Sequence, residues 1–198
     1  MMKYWSSFAT PLGRMFCLLS EVGELERLEF EEGSSGGCDA VLGELGERGV
    51  ELRKAGKRAT EVRLQVLEYL RGERTRFDLA LAKVGTPFQE RIWRALRRVR
   101  FGRTITYPEL AKRGGNPAAV RAAGHANGSN PFSLIVPCHR VIAVDASLRG
   151  YGGGLAIKLA LLEFERSGGE KGAAKLLACA RLLKVKASTK MGALSPEP

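Results

Sequence analysis

The sequence predicts an α/β fold of the α+β kind, with a small antiparallel sheet and a helix in its N-terminal half and a mostly helical C-terminal half. Three observations predict it. Residues 3–30 contain three apolar- and aromatic-rich runs of strand length, separated by turns that carry Gly or Pro. From residue 60 onward the apolar positions recur at helical spacing. Gly85-Thr86-Pro87 then opens a second part whose segments are punctuated by Gly, Asn and Pro.

Tyr4–Phe8, Arg14–Leu19 and Leu25–Phe30 are the strands of a meander, with turns at Thr10-Pro11-Leu12-Gly13 and Glu21-Val22-Gly23. Residues 32–37 form a glycine–serine loop, and 39–49 a short helix weakened by its glycines. Over 60–70, Val62, Val66, Leu67 and Leu70 share one helix face, with Thr60 as N-cap. Arg76–Leu81 alternates like a closing strand and completes a supporting unit, residues 1–84.

The second unit spans 85–168. Thr86 and Gln89 make a capping box, and Pro87 suits the first helical position. Phe88, Ile92, Leu96 and Val99 mark the buried stripe of this helix and leave its arginines outward. Thr104-Ile105-Thr106 leads into a short helix, Pro108–Arg113, and Gly114-Gly115-Asn116 turns the chain. Pro117 opens another helix, from Ala118 to about Asn127. Two helices joined by a glycine turn resemble a helix-turn-helix, with the second as recognition helix. A last helix, Leu155–Glu165, buries Ile157, Leu161, Leu162 and Phe164, and residues 169–198 form a basic tail with partial helical spacing.

The chain has 198 residues and a formal net charge of +11, with six arginines and no acid between Arg91 and Arg103. That balance predicts binding to a polyanion, although a basic surface also serves solubility. No run of 18 apolar residues exists and the start lacks a signal-peptide core, so a soluble intracellular protein with no membrane partner is expected. Four cysteines without CxxC spacing argue against a disulfide framework. With only His125 and His139 available, no metal site is predicted.

Residues 129–142 read SNPFSLIVPCHRVI. Ser133–Pro137 has the composition of a short buried strand, and Pro137 must end it because proline cannot donate to a ladder. Cys138 then stands at the mouth of that strand, with His139 and Arg140 as neighbouring cations. A thiolate is the reactive form of cysteine, and nearby positive charge or a base favours it. The residue types alone leave two readings: a nucleophile, or a small buried hydrophobe like Cys17, Cys38 and Cys179.

The surrounding motifs are more specific. Asn130-Pro131, Val136-Pro137-Cys138-His139-Arg140-Val141, the run Gly150-Tyr151-Gly152-Gly153-Gly154-Leu155 and Lys158 stand in register with Gly85-Thr86-Pro87-Phe88-Gln89, Ile92-Trp93, Phe101-Gly102, Tyr107, Leu110-Ala111 and Gly115-Asn116-Pro117. Over about residues 85–165 this pattern closely resembles the O6-alkylguanine–DNA alkyltransferases.

The resemblance implies DNA repair: transfer of an alkyl group, such as methyl, from the O6 of guanine in DNA to Cys138, with no cofactor. This is an in-line displacement at saturated carbon. The product is a thioether with no activated carbonyl, so the protein is spent after one turnover. His139 is implied as the base, acting through water, with Glu165 orienting it. Tyr107 is implied as hydrogen-bond donor to the departing guanine, and Asn130 as the residue that holds the active-site turn. Val136, Pro137, Tyr151, Gly152 and Gly153 join Tyr107 around the substrate base.

The implied partner is double-stranded DNA carrying O6-alkylguanine, approached through the minor groove with the target nucleotide flipped out. Arg121 matches the family's arginine that fills the vacated stack; its alternative role is a phosphate contact. Ala122, Asn127, Lys112 and Arg140 complete the implied DNA-binding set. The family also implies a ribonuclease H-like N-terminal unit, a winged-helix-like C-terminal domain, and a monomer. Its place is the cytoplasm, with the nucleoid, or the nucleus in a eukaryote. His125 and Asn127 depart from the apolar or small residues frequent on the family's DNA face. Gly152 replaces a serine that some members carry, leaving only the backbone N–H groups of 151–153 to donate to the guanine oxygen. Two other readings compete with this one. A damage-binding relative without transfer lacks the acceptor cysteine that stands here at Cys138. A cysteine hydrolase leaves the basic helix-turn-helix unexplained.

Overall fold

Strands β1 (Met2–Thr10), β2 (Gly13–Leu19) and β3 (Leu25–Phe30) pair antiparallel in the computed structural model, which describes residues 1–32, 37–169 and 176. The β1–β2 turn is closed by Thr10, whose hydroxyl donates to the Gly13 carbonyl (2.6 Å) and accepts from the Leu12 N–H (3.2 Å). β2 is apolar on both faces because both are covered. Phe16 and Leu18 pack with Cys38 and Val41 of helix α1 (Gly37–Glu47), while Met15, Cys17 and Leu19 join the main core.

One further strand carries no sequence signal. β4 (Glu51–Lys54) runs parallel to the start of β1, giving the order β3-β2-β1-β4 and making the expected antiparallel sheet a mixed one. Its residues are mostly exposed, so no apolar alternation marks it. Helix α2 (Thr60–Arg71) has Thr60 as its first residue and not its N-cap, because a 3-10 turn over Gly56–Ala59 runs straight into it. The expected strand Arg76–Leu81 reduces to one bridge between Leu25 and Leu81. The Gln65 side chain takes up the Asp78 peptide instead, accepting from its N–H (2.8 Å) and donating to its carbonyl (3.0 Å).

Helix α3 (Pro87–Arg97) begins as its sequence requires. The Thr86 hydroxyl accepts from the Gln89 N–H (3.3 Å), and the Gln89 side chain accepts from the Thr86 N–H (2.8 Å). Ile92, Trp93, Ala95 and Leu96 are buried, and the six arginines from Arg91 to Arg103 are all exposed. β5 (Ile105–Thr106) leads into α4 (Tyr107–Arg113). α5 (Val120–Gly128) follows the glycine turn, starting two residues later than Ala118. Trp93 Nε1 donates to the Ala126 carbonyl (2.8 Å) and pins α3 to α5. β6 (Val141–Ile142) pairs parallel with β5, and α6 (Leu155–Arg166) closes the fold.

The Ser133–Pro137 run is buried, as expected, but it is a turn and not a strand. The Val136 N–H donates to the Phe132 carbonyl (2.9 Å), and Leu134 has φ 71°, in the left-handed region. Such a backbone, closed by Pro137, cannot continue a ladder. β3 holds the turn from outside: the Leu28 N–H donates to the Pro131 carbonyl (2.7 Å), and the Ser133 N–H donates to the Leu28 carbonyl (2.8 Å). One apolar core, including Met15, Leu28, Tyr69, Leu96, Val136 and Phe164, therefore runs across the division expected at residues 84/85. Among the described residues no helix is long and apolar enough to cross a membrane. The glycine–serine loop at 33–36 and the basic tail from 170 on, apart from buried Leu176, lie outside the described residues.

Candidate active site

Cys138 opens a 3-10 turn, Cys138–Arg140, directly after Pro137. Asn130 shapes the approach to it. Its side-chain amide donates to the Val136 carbonyl (2.7 Å), and its side-chain oxygen accepts from the Phe132 N–H (3.0 Å). The cysteine is only 7% exposed and sits in the wall of a cavity of about 530 Å³, a size suited to a small organic ligand. Tyr107, Gly124 and Asn127 of the helix pair α4–α5 line one side of this cavity. Tyr151 and Gly152, before α6, line another, and Glu29 and Phe30 reach it from the end of β3.

Beneath the cysteine lies a buried polar cluster. His139 Nε2 is 2.7 Å from Glu165 Oε1. The same carboxylate accepts from Arg140 Nε (2.8 Å) and Nη2 (2.9 Å), from the Gly102 N–H (2.9 Å) and from the Tyr69 hydroxyl. Burial opposes ionisation of Glu165, but the hydrogen bonds and charge of His139 and Arg140 outweigh it and hold the carboxyl at about 2. An ionised carboxylate only accepts, so the proton on His139 resides on Nε2 and Nδ1 carries the free lone pair. Nδ1 is buried, with no hydrogen-bond partner among the described residues.

Burial holds His139 below its ordinary range despite the opposing pull of Glu165, which keeps the imidazole neutral near pH 7. Burial likewise raises the Cys138 thiol, and the Asn130 side chain and the Lys158 charge offset this only in part. Lys158 is fully buried, its ammonium donating to the carbonyls of Val141 (2.7 Å) and Arg149 (2.8 Å). The site thus holds a protonated thiol and, next to it in sequence, a neutral imidazole fixed by Glu165; Nδ1 makes no hydrogen bond to the thiol, so proton transfer between them would need a bridging water. Among the described residues no group of three or more His, Cys, Asp or Glu side chains is placed to hold a metal ion.

Several expected site residues take other places. Arg140 is not on a DNA-facing surface: it is 5% exposed, with its guanidinium shared between Glu165 and the Val99 carbonyl (2.6 Å). Asn127 is buried and lines the cavity, facing away from the exposed side of α5. Val136, Pro137 and Gly153 do not line the cavity. Val136 serves Asn130 through its carbonyl, Pro137 faces a second cleft across the turn, and Gly153 packs on the Phe30 ring. Arg121 and Ala122 are exposed on α5, and Lys112 is exposed at the end of α4.

The sequence assigns Tyr69 no place in the site, and Gly102 stands there only as part of the Phe101-Gly102 motif, with no role assigned. Tyr69 reads as one more buried position of α2, three residues after Val66; the one available signal is that a buried tyrosine hydroxyl needs a partner. Gly102, at φ 72°, brings its N–H to the Glu165 carboxylate, and a Cβ there would lie 2.9 Å from the Glu165 carbonyl oxygen.

Residues 87–167 match the family described as the DNA-binding domain of 6-O-methylguanine DNA methyltransferase. The chain is 52% identical over 103 residues to the methylated-DNA–protein-cysteine methyltransferase of Mycobacterium bovis, a match spanning 52% of this chain and 62% of that protein. It is 40% identical over 164 residues to the enzyme of the same name from Methanosarcina acetivorans, covering 83% of this chain and 99% of that one. Among solved structures, Mycobacterium tuberculosis OGT in complex with DNA superposes with a TM-score of 0.71 at 33% identity, covering 90% of this chain and 99% of that one.

Proposed function

The chain belongs to the methylated-DNA–protein-cysteine methyltransferases, and from that premise we propose that it repairs O6-alkylguanine in DNA by moving the alkyl group to Cys138. The thiol proton passes, through water, to Nδ1 of His139. The resulting imidazolium is stabilised by Glu165, which stays ionised throughout. The sulfur then attacks the alkyl carbon in line: the S–C bond forms as the C–O6 bond breaks, and the electron pair leaves with guanine. Tyr107 offsets that charge by hydrogen bonding; burial, chiefly, raises its hydroxyl above its ordinary range and keeps it a donor. Backbone N–H groups of 151–153 supply the remaining donors at the oxygen.

Cys138 becomes a thioether that water does not cleave, so each molecule acts once. Residues of α5 line the cavity and Arg121 is exposed on the same helix, which supports a role for Arg121 in filling the gap left by a base flipped from the minor groove of duplex DNA. The molecule acts as a monomer, since a single chain carries every group the reaction needs.

One observation carries this reading: a buried His139 tied through Nε2 to Glu165, its Nδ1 without a partner among the described residues, next in sequence to a thiol in a cavity wall. Intact-mass analysis after incubation with an O6-methylguanine duplex tests it. The expected result is one added methyl per molecule, mapped to Cys138. Methyl on Cys17, Cys38 or Cys179 with Cys138 unmodified would overturn the assignment, and an unmodified protein that turns over ester or amide substrates would mark a hydrolase.

A further inference from the structure

The turn that carries Cys138 has a second cleft on its other side, of about 580 Å³, sharing no lining residue with the catalytic cavity. Arg97, Arg98 and Arg100 enter it from the end of α3 and the residues after it, and Arg76 from the segment after α2. Phe77 and Phe101 add half-buried aromatic surface, and Leu134, Ile135 and Pro137 of the turn line it together with buried Arg140, whose charge is already taken up by Glu165.

Among the described residues the charge of Arg76, Arg97, Arg98 and Arg100 is uncompensated. No carboxylate is among the cleft's lining residues, and among the described residues none of these four arginines has an ion-pair partner. Neighbouring Arg71 and Arg74, and Arg140 in the lining itself, all have one. A helix C-terminus favours nearby cations, which accounts for Arg97 at the end of α3. It accounts neither for Arg76, which comes from a separate segment, nor for the lack of acids. Four like charges around one concavity repel one another, and low-dielectric walls focus their field on a polyanion.

We propose that this cleft is a second nucleic-acid site, which takes one strand by its phosphates with bases against Phe77 and Phe101. A duplex is too wide to enter a concavity of this volume, whereas arginines along a groove with interleaved aromatic faces hold single strands without reading their sequence. The site is separate from α5 and does not require alkyl transfer to Cys138, so the two readings fail independently.

The test is anisotropy of a labelled oligothymidylate on the full chain, with and without a saturating unlabelled short duplex. The strand should remain bound when duplex occupies α5. Arg97→Glu/Arg98→Glu should weaken strand binding by about tenfold or more and lower its salt slope by roughly 1.4, while duplex affinity stays within about twofold. Arg76→Ala/Arg100→Ala should reproduce the loss with a smaller perturbation of charge. Complete displacement of the strand by duplex, or equal weakening of both ligands, would make the cleft part of one duplex footprint and overturn the proposal. So would failure of the strand to bind. Competition by inorganic phosphate or a free nucleotide as effective as that by the strand would replace it with a small-anion pocket.

Discussion

Replacing Glu165 by glutamine isolates what the buried carboxylate contributes. In the native site Oε1 accepts from His139 Nε2, Arg140 Nη2 and Tyr69, and Oε2 from Arg140 Nε and the Gly102 N–H. Glutamine keeps one acceptor oxygen and turns the other position into an NH2 donor. Whichever way the amide is turned, a donor then faces donors, and the buried Arg140 guanidinium loses its counter-charge. Breaking a buried pair by removing one partner costs about 3–5 kcal/mol. A carboxyl held at about 2 against an ordinary 4.5 independently corresponds to about 3 kcal/mol in favour of the ionised form. Glu165→Gln should therefore lose about 3–5 kcal/mol in urea melts, roughly 6–20 °C in Tm. Its single-turnover alkylation rate, measured by rapid quench at a temperature where the variant is folded, should fall by about 10²–10⁴-fold. A stability change below about 1 kcal/mol would refute the buried-pair reasoning. A large stability loss with an unchanged rate would leave Glu165 a structural role alone.

The pH profile should follow the same groups. Glu165 is depressed in the folded state, so its stabilisation is complete above pH 4.5 and lost as pH falls toward 2, readable in melts across that window. His139 lies below its ordinary 6.5, so the alkylation rate should persist through pH 6.5 and decline only at lower pH; a rate that titrates at or above 6.5 contradicts the neutral-base assignment. Arg121→Ala should slow repair of duplex strongly yet barely affect reaction with free O6-benzylguanine, which needs no flipping, whereas Lys112→Ala should lower the salt slope of duplex binding by about one. Equal rates for Arg121→Ala and wild type at saturating duplex would reduce Arg121 to a phosphate contact. Gly153→Ala would put a Cβ 2.7 Å from the Phe30 ring and 3.1 Å from Tyr151, both cavity residues, and should cost about 1–3 kcal/mol and slow transfer. Adding Phe30→Leu should recover part of both losses, and a Gly153→Ala protein indistinguishable from wild type would show that this loop has slack.

Sequence alone determined the features whose causes are local. The capping box at Thr86–Gln89, the glycine turn between α4 and α5 and the outward arginines of α3 each follow from neighbours within a turn or two. The motif pattern around Cys138 also pointed to His139 and Glu165, 26 residues apart, which the fold brings to 2.7 Å. Only the tertiary structure decided the rest. β4 is a strand because the edge of β1 accepts it, a pairing that its own exposed residues do not announce. The Ser133–Pro137 run is buried whether extended or turned, and burial sets the composition of a segment without setting its dihedrals. Arg140 would read the same beside a phosphate or a buried carboxylate, and Tyr69 reaches Glu165 across 96 residues of chain. A hydrogen bond of that kind leaves no periodicity in sequence, because the partner's position is fixed by packing between elements and not by the spacing along either one.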